Sequence, residues 1–375
     1  MADWIIRDGD VLTGQGFMRT DIAIEGCRIV SSRKAPRSID AAGLKVLPGI
    51  IDIHGDGFER QIMPRPNVTF SLDVALAETD RQLVSNGITT AFHGLTVSWE
   101  PGLRSIANAE AFVAAWQKVR PALLSDNRLH IRWETFALDA VDTVSGWFDL
   151  DPAPILAFND HTTMSIEKAR DQAKVDQWAV RAGLTGAEYK TLLDEVWSRR
   201  EEVPAAIASL AAKAREKDLI LLAHDEMSVQ AREEFRALGA RTSEFPMNRE
   251  TAGAARAAGE HTVLGGPNVL RGGSHTGAMS AAVAVKEGLC TVLASDYFYP
   301  AQLHAAFKLA RDGVTDLASA WRLISAHPAE AAGLDDRGVL AEGRRADIVL
   351  VDDSDPALPR VRAVFSSGRK VYEAA

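Results

Sequence analysis

The chain has 375 residues, of which 46% are hydrophobic and 25% charged, with a formal net charge of −9. That length suits one barrel of about 250 residues with a smaller appendage. The negative charge argues against nucleic acid or a membrane surface as a partner, and no apolar run approaches the ~20 residues that cross a bilayer. Because the first eight residues carry charges where a signal peptide is apolar, we expect a cytoplasmic protein.

The two ends of the chain share the short strands and tight turns of a β-rich unit. Residues 4–30 turn at Asp8-Gly9-Asp10 and at Glu25-Gly26, and residues 338–372 have the same texture. We therefore predict that residues 1–48 and 336–375 pair into one small β-sandwich domain.

Between these ends, apolar strands alternate with helical stretches, a pattern typical of βαβ units and a parallel sheet. The strongest candidate strands are residues 87–92, 130–136, 219–223, 262–265 and 289–294. We predict an α/β fold in which residues 49–335 form a TIM-like (β/α)₈ barrel with its active site at the carboxyl ends of the strands. The charged segment 167–217 predicts two or three helices over the barrel mouth. A solvated insertion, a lid and a homodimer contact all stay open for this segment.

A His-x-Asp motif ends the apolar segment Val46-Leu47-Pro48-Gly49-Ile50-Ile51-Asp52-Ile53-His54-Gly55-Asp56. Alternate side chains of a strand lie on one face, so His54 and Asp56 project into one pocket while Gly55 leaves room. Imidazole and carboxylate suit Zn²⁺ or a similar divalent ion. Two residues alone would equally well cap a turn, so further ligands are needed.

Three other predicted strands also end in residues that can bind metal. These are Glu134, His224 and Asp296. We predict one or two divalent ions, with Zn²⁺ favoured and Mn²⁺ or Ni²⁺ as alternatives. A bound metal lowers the pKa of water to about 7, which would supply hydroxide as the nucleophile, and Asp296 would also accept the proton. His161 could be a ligand, a substrate contact or a turn residue.

With these residues in place, the chain resembles the amidohydrolase superfamily in its Pro-Gly-Ile-Ile-Asp-Ile-His entry, its ligand series and its Gly343-Arg344-Arg345-Ala346-Asp347 exit. Within that superfamily it is most similar to the diphosphatases of phosphonate degradation. That narrower resemblance rests on these segments: 63–66, 160–162, 244–246, 266–275 and 295–297. It implies hydrolysis of α-D-ribose 1-methylphosphonate 5-triphosphate to the 5-phosphate and pyrophosphate, with Asn268 and Tyr297 among the substrate contacts.

The run Arg271-Gly272-Gly273-Ser274-His275 fits a phosphorylated substrate. The glycines let the backbone approach an anion, Ser274 can donate a hydrogen bond, and Arg271 offers a bidentate fork. Arg65 could supply a second fork, and His275 could contact a phosphate or position the leaving group. A plain glycine turn with Arg271 in solvent is the structural alternative.

Two other functions stay open. The first is cleavage of an amide or amidine by a deacylase or deaminase that uses the same hydroxide, and departures from the family pattern at Gly57 and at Thr163-Met164-Ser165 keep it in play. The second is an inert metal-binding scaffold. His93 stands at a strand end where the resemblance implies aspartate, and a structural role is favoured for it and for His130.

Overall fold

The computed structural model describes residues 2–32, 34–66, 68–273 and 279–374, apart from the side chain of Arg181. The described strands are β1 (Trp4–Thr13), β2 (Gly16–Glu25), β3 (Arg28–Val30), β4 (Arg37–Asp40), β5 (Lys45–Pro48), β6 (Ile50–Gly55), β7 (Ile88–Val97), β8 (Asp126–Glu134), β9 (Ile155–Asn159), β10 (Leu221–His224), β11 (Thr242–Glu244), β12 (His261–Gly265), β13 (Val292–Ala294), β14 (Ile348–Asp352), β15 (Arg360–Ser366) and β16 (Arg369–Glu373).

The described α-helices are α1 (Glu59–Ile62), α2 (Leu72–Ser85), α3 (Ile106–Val119), α4 (Val141–Gly146), α5 (His161–Lys168), α6 (Gln172–Ala182), α7 (Gly186–Ser198), α8 (Val203–Glu216), α9 (Val229–Ala237), α10 (Arg249–Ala257), α11 (Gly266–Arg271), α12 (Ala281–Lys286), α13 (Ala301–Arg311), α14 (Leu317–Arg322) and α15 (Ala326–Ala331). Short polar residues begin many of them. Ser71, Ser105 and Asp160, for example, each accept a hydrogen bond from a backbone N–H of the first turn, which would otherwise lack a partner.

Strands β6 to β13 form a parallel barrel in sequential order. Both faces of the sheet are covered, which explains why β6 and β7 are buried along their whole length. The barrel closes between β6 and the end of β13, where Asp296 N–H donates to His54 O (2.9 Å) and Asp56 N–H donates to Asp296 O (3.0 Å). Closure therefore joins three of the predicted site residues directly. The predicted (β/α)₈ barrel is confirmed.

The terminal strands form a second, separate sheet in the order β16-β15-β14-β5-β1-β2-β3, with β4 also paired to β1. It folds over a small apolar core to which both ends of the chain contribute, including Ile6, Ile24, Ile348 and Phe365. The predicted pairing of the two chain ends is confirmed. The exact domain limits, residues 1–48 with 336–375 and residues 49–335, stay a prediction.

The predicted strand bounds differ from the observed ones mainly at β7, which ends at Val97 rather than at residue 92, and at β8, which begins at Asp126 rather than at residue 130. The pattern also missed β9 and β11, which are only five and three residues long. Within the described ranges, no helix combines the length and apolarity needed to span a bilayer.

Candidate metal centre and active site

A cavity of about 360 Å³ opens at the carboxyl ends of the barrel strands. Strand ends supply its floor, and helices α5 and α11 contribute to its wall. The lining includes His54, Asp56, Arg132, His161, Lys168, His224, Asp225, Phe245, Asn268, Arg271, Gly273, Asp296 and Tyr297. Most of the residues predicted from strand ends therefore meet at one place.

His54, Asp56 and Asp296 form the first cluster, with ligand atoms all within 4.8 Å of one another. Gly55 between them has no space for a side chain, because a Cβ there would lie 2.6 Å from Asp52 Oδ2. The pKa of His54 is well below its usual value because of burial, with further contributions from Arg132 and His224. Its imidazole is therefore neutral, which is the form that binds metal.

His130 and Glu244 form a second cluster with His54, and all three side chains are buried. His54 Nδ1 lies 2.8 Å from Glu244 Oε1. Glu244 thus contacts His54, a pairing that the sequence did not predict. His130 was expected to have only a structural role, but its side chain lies in this cluster, with Nε2 3.5 Å from Glu244 Oε2.

The third cluster contains His161, His224 and Asp225. Asp225 Oδ2 lies 3.4 Å from His161 Nε2 and 3.2 Å from His224 Nδ1. Although burial alone would raise it, the pKa of Asp225 is held below its usual range, chiefly by His224 and a hydrogen bond from His161. Burial likewise opposes the shift at His161, whose pKa is raised to about 9 by hydrogen bonds to Asp225 and Glu134.

Glu134 lies beside the third cluster and holds the start of α5. Its Oε1 accepts hydrogen bonds from His161 N–H (2.9 Å), Thr162 N–H (3.2 Å) and the Thr162 hydroxyl (3.0 Å). Its Oε2 lies 3.1 Å from His161 Nδ1. Both carboxylate oxygens of Glu134 therefore already have partners in this geometry. A role of Glu134 as a metal ligand stays a prediction.

Arg132 is the main site residue that the sequence argument missed. Its guanidinium is buried between Asp56 Oδ2 (3.4 Å) and His224 Nε2 (3.3 Å). A metal bound through His224 Nε2 would require Arg132 to move. His130, Arg132 and Glu134 alternate along β8, so the predicted strand 130–136 already placed all three on one face, and this alternation is the signal that could have found Arg132.

The residues predicted to contact an anion lie on α11 and in the loop that follows it. Gly272 ends α11 at a φ of 80°, which favours glycine. Asn268 Nδ2 donates to Met279 O (2.9 Å) and Asn268 Oδ1 accepts from Ala281 N–H (2.9 Å), so this side chain fastens the base of the loop. Arg271 and Gly273 line the cavity. The predicted Ser274 and His275 lie outside the described residues.

Three other predictions have different outcomes. Tyr297 lines the cavity. Arg65 is exposed and is not among the residues that line it, so its contact with substrate stays a prediction without geometric support. His93 is buried with Nε2 2.6 Å from Asn127 Oδ1, which agrees with the structural role expected for it.

The donor atoms fit a divalent cation. All are imidazole nitrogens or carboxylate oxygens, the set that suits Zn²⁺, Mn²⁺ and Ni²⁺. Among the described residues, the buried His130 Nε2 and Glu244 Oε2 have no hydrogen-bond partner, which is costly unless another group satisfies them. Backbone strain points to the same place, since Asp225, Phe245 and Asp296 each follow a barrel strand at φ between 52° and 56°.

A model of the amidohydrolase family matches residues 195–371, which include four barrel strands and the carboxyl-terminal part of the second sheet. The chain is also 29% identical over 353 residues to the α-D-ribose 1-methylphosphonate 5-triphosphate diphosphatase of Escherichia coli K12, a match that covers 91% of this chain and 92% of that protein. By these matches the chain is similar to the amidohydrolase family. It is accordingly a hydrolase of the amidohydrolase superfamily.

Other proteins similar to this chain are named for different activities. It is 29% identical to an adenine deaminase of Methylobacterium nodulans over 397 aligned positions, which cover all of this chain but 59% of that protein. A D-hydantoinase structure superimposes with a TM-score of 0.65 at 17% identity, covering 99% of this chain and 95% of the other. The structure of an atrazine chlorohydrolase from Arthrobacter aurescens in complex with zinc superimposes with a TM-score of 0.65 at 16% identity, covering 99% of this chain and 95% of the other. At such identities the two structures show a shared fold only.

In this amidohydrolase, the electrostatics of Asp296 separate it from an ordinary surface carboxylate. Burial, followed by the neighbouring Asp56, raises the pKa of Asp296 to about 7. Asp56 has a raised pKa as well, mainly through burial and the nearby Glu59. Carboxylates crowded in this way favour a cation in their midst.

Proposed function

We propose that this amidohydrolase is a metal-dependent diphosphatase that converts α-D-ribose 1-methylphosphonate 5-triphosphate into the 5-phosphate and pyrophosphate. The observation that carries the proposal is the position of two cations, Arg271 and Lys168, in the same cavity as the His54, Asp56 and Asp296 cluster. None of the carboxylates in the described part of the chain lies within 4.0 Å of either cation. The activity for which the Escherichia coli relative is named supports the same substrate, and that relative is similar over nearly the whole chain.

His54, Asp56 and Asp296 are the residues we assign to a divalent ion, with His224 as the further ligand and Zn²⁺ as the favoured metal. A divalent ion would supply water activation and would offset the charge of the triphosphate. Glu244 would fix the His54 ring through the hydrogen bond to Nδ1, which leaves Nε2 free to ligate. The Glu134 and Asn268 side chains would act indirectly, since they hold α5 and the loop after β12 in place.

The reaction we propose is attack of water on the α-phosphorus, with cleavage of the bond to the bridging oxygen of the leaving pyrophosphate. Asp296 would accept the proton of the attacking water and return it to the leaving group. Arg271 would bind the leaving phosphates, because a guanidinium matches two phosphate oxygens at once, and Lys168 would add a point charge. These cations stabilise charge that grows on the phosphoryl oxygens in the transition state.

The test is phosphorus NMR of metal-loaded protein with the ribosyl 5-triphosphate. We expect pyrophosphate and the 5-phosphate in equal amounts. Arg271→Gln should reduce kcat/KM by about 10- to 100-fold, as expected for loss of one charge-assisted contact. Arg241→Gln is the matched control, because this arginine is 66% exposed and is absent from the cavity lining. Metal-loaded protein that releases no pyrophosphate would refute the proposal.

Adenine deamination is the second candidate, favoured by the match to adenine deaminases along the whole of this chain. The same preparation should then release ammonia from adenine, and Arg271→Gln should leave that rate unchanged because adenine carries no phosphate. Action in the cytoplasm and assembly as a homodimer stay predictions.

A further inference from the structure

A second cavity of about 520 Å³ adjoins the metal centre. Both cavities are lined by Arg104, His161, Met164 and Lys168, so they share a wall. We call this second cavity the side chamber. The remaining residues of its lining are Thr96, Ser98, Trp99, Glu100, Glu134, Thr162, Ser165, Lys174, Gln177 and Trp178. Its volume lies within the roughly 300–1,000 Å³ typical of small-molecule sites.

Two tryptophans give the side chamber a fixed aromatic wall. The indole N–H of Trp99 donates to the Thr162 hydroxyl at 2.8 Å. The rings of Trp99 and Trp178 both pack against Tyr189, with centroid distances of 5.9 and 6.0 Å. Trp178 lies on α6, so the charged segment 167–217 contributes directly to a cavity beside the site. Aromatic faces of this kind commonly pack against the C–H faces of sugars and against planar rings.

The charges of the side chamber favour an anion. Glu134 has partners on both oxygens, and Glu100 accepts a hydrogen bond from the Tyr189 hydroxyl at 2.7 Å. Arg104 is held by Glu59 through two contacts of 2.9 and 2.8 Å.

Two lysines of the chamber, Lys168 and Lys174, are available to bind an anionic ligand. In the described part of the chain, no carboxylate lies within 4.0 Å of Lys168, and Lys174 has only a distant exposed partner, Asp171 at 3.9 Å. Both ammonium groups belong to side chains that line the chamber.

We propose that the side chamber binds the end of the substrate that is not hydrolysed, a sugar ring bearing a phosphate or phosphonate ester. The ring would pack against Trp99 and Trp178 while Lys174 binds the ester oxygens, and Lys168, on the shared wall, stays with the triphosphate as assigned above. This inference rests on the proposed function, which requires the triphosphate to lie beside Arg271 and Asp296. A ribosyl group that extends away from that point enters the chamber through the shared wall. The site thereby selects substrates that are anionic at both ends.

Isothermal titration calorimetry of the metal-loaded protein separates the two ends, with α-D-ribose 1-phosphate as one probe and inorganic pyrophosphate as the other. Lys174→Gln should weaken ribose 1-phosphate about tenfold and leave pyrophosphate unchanged, whereas Arg271→Gln should do the reverse. Lys190→Gln is the matched control, because Lys190 is a half-buried lysine on α7, bonded to Gln172 and outside the chamber lining. Trp178→Leu should weaken ribose 1-phosphate as well.

Each outcome of these titrations either supports or overturns the side-chamber proposal. Ribose 1-phosphate that does not bind the parent protein, or that binds Lys174→Gln equally well, overturns the side-chamber proposal. So does equal weakening of both probes by Arg271→Gln, since that would place ribose 1-phosphate in the metal cavity. Lys174-dependent binding without pyrophosphate release from the triphosphate would uphold the chamber and reject the proposed reaction. Where turnover occurs, Lys174→Gln should raise KM about tenfold with kcat unchanged.

Discussion

Substitution of Glu244 by Gln tests whether the hydrogen bond to His54 prepares the metal centre. The two side chains are 0% and 1% exposed, and the contact between them is 2.8 Å. Gln keeps the volume of Glu but removes the charge that orients the ring and makes its other nitrogen more basic. Loss of such an outer partner typically weakens metal binding by about 10- to 100-fold, which corresponds to about 1.4–2.8 kcal/mol.

The assay is competition for Zn²⁺ against a fluorescent chelator at pH 7.5, with thermal unfolding measured in parallel. Glu226→Gln is the matched control, because Glu226 is also buried and follows the neighbouring strand, but it contacts Arg232 and Ser243. We expect the control to keep its Zn²⁺ affinity. Affinity within twofold of the parent in Glu244→Gln, or an equal loss in Glu226→Gln, would refute the orienting role of Glu244.

Three further predictions concern catalysis, closure of the barrel and acid stability. Asp296→Asn should lower kcat by about 10²–10⁴-fold through loss of the proton acceptor, and near-normal turnover would contradict its role. In the metal-free protein the same change should not lower the melting temperature at pH 8, because the pKa of Asp296 is raised to about 7 and its ionised carboxylate is therefore unfavourable in the folded state at that pH. Gly55→Ala places a Cβ 2.6 Å from Asp52 Oδ2 and should lower the free energy of unfolding in urea by about 1–3 kcal/mol. Gly253→Ala is the control, because Gly253 has open space around it and the change should be neutral or stabilising. Equal effects of the two substitutions would refute the packing argument. Burial raises the pKa of Asp126, but three neighbouring arginines outweigh burial and hold this pKa below 3.8, so the carboxylate stabilises the fold above pH 3.8 and loses that effect as the pH falls through its folded pKa. Asp126→Asn should therefore cost about 3 kcal/mol at pH 7 and flatten the acid limb of a pH–stability curve. An unchanged acid limb would be evidence against the pairing of Asp126 with these arginines.

Local sequence patterns were enough to predict the fold class and part of the centre. The period of two along β6 places His54 and Asp56 on one face whatever the rest of the chain does, and it predicted that Gly55 would leave room between them. Alternating strands and helices predicted a parallel barrel, and that architecture by itself predicts that strand ends meet. His224 and Asp296 followed from this rule without any knowledge of distances.

Only the tertiary structure decided which of these residues touch. Glu244 meets His54 across 190 positions of sequence, and Arg132 reaches both Asp56 and His224. Such pairs arise when the barrel closes, and closure depends on the register of all eight strands rather than on any one segment. The period of two along β8 places Arg132 on the same face as Glu134, but it could not show which groups the guanidinium would meet.

The side chamber illustrates the same limit. Composition showed that segment 167–217 was helical and charged, but a helix can present Lys174 and Trp178 to solvent or to a cavity. The packing of Trp178 on Tyr189, together with Trp99 from the loop after β7, decided between these possibilities. Sequence determines the local periods and the donor chemistry, whereas the neighbours of each donor are fixed only when distant segments pack together.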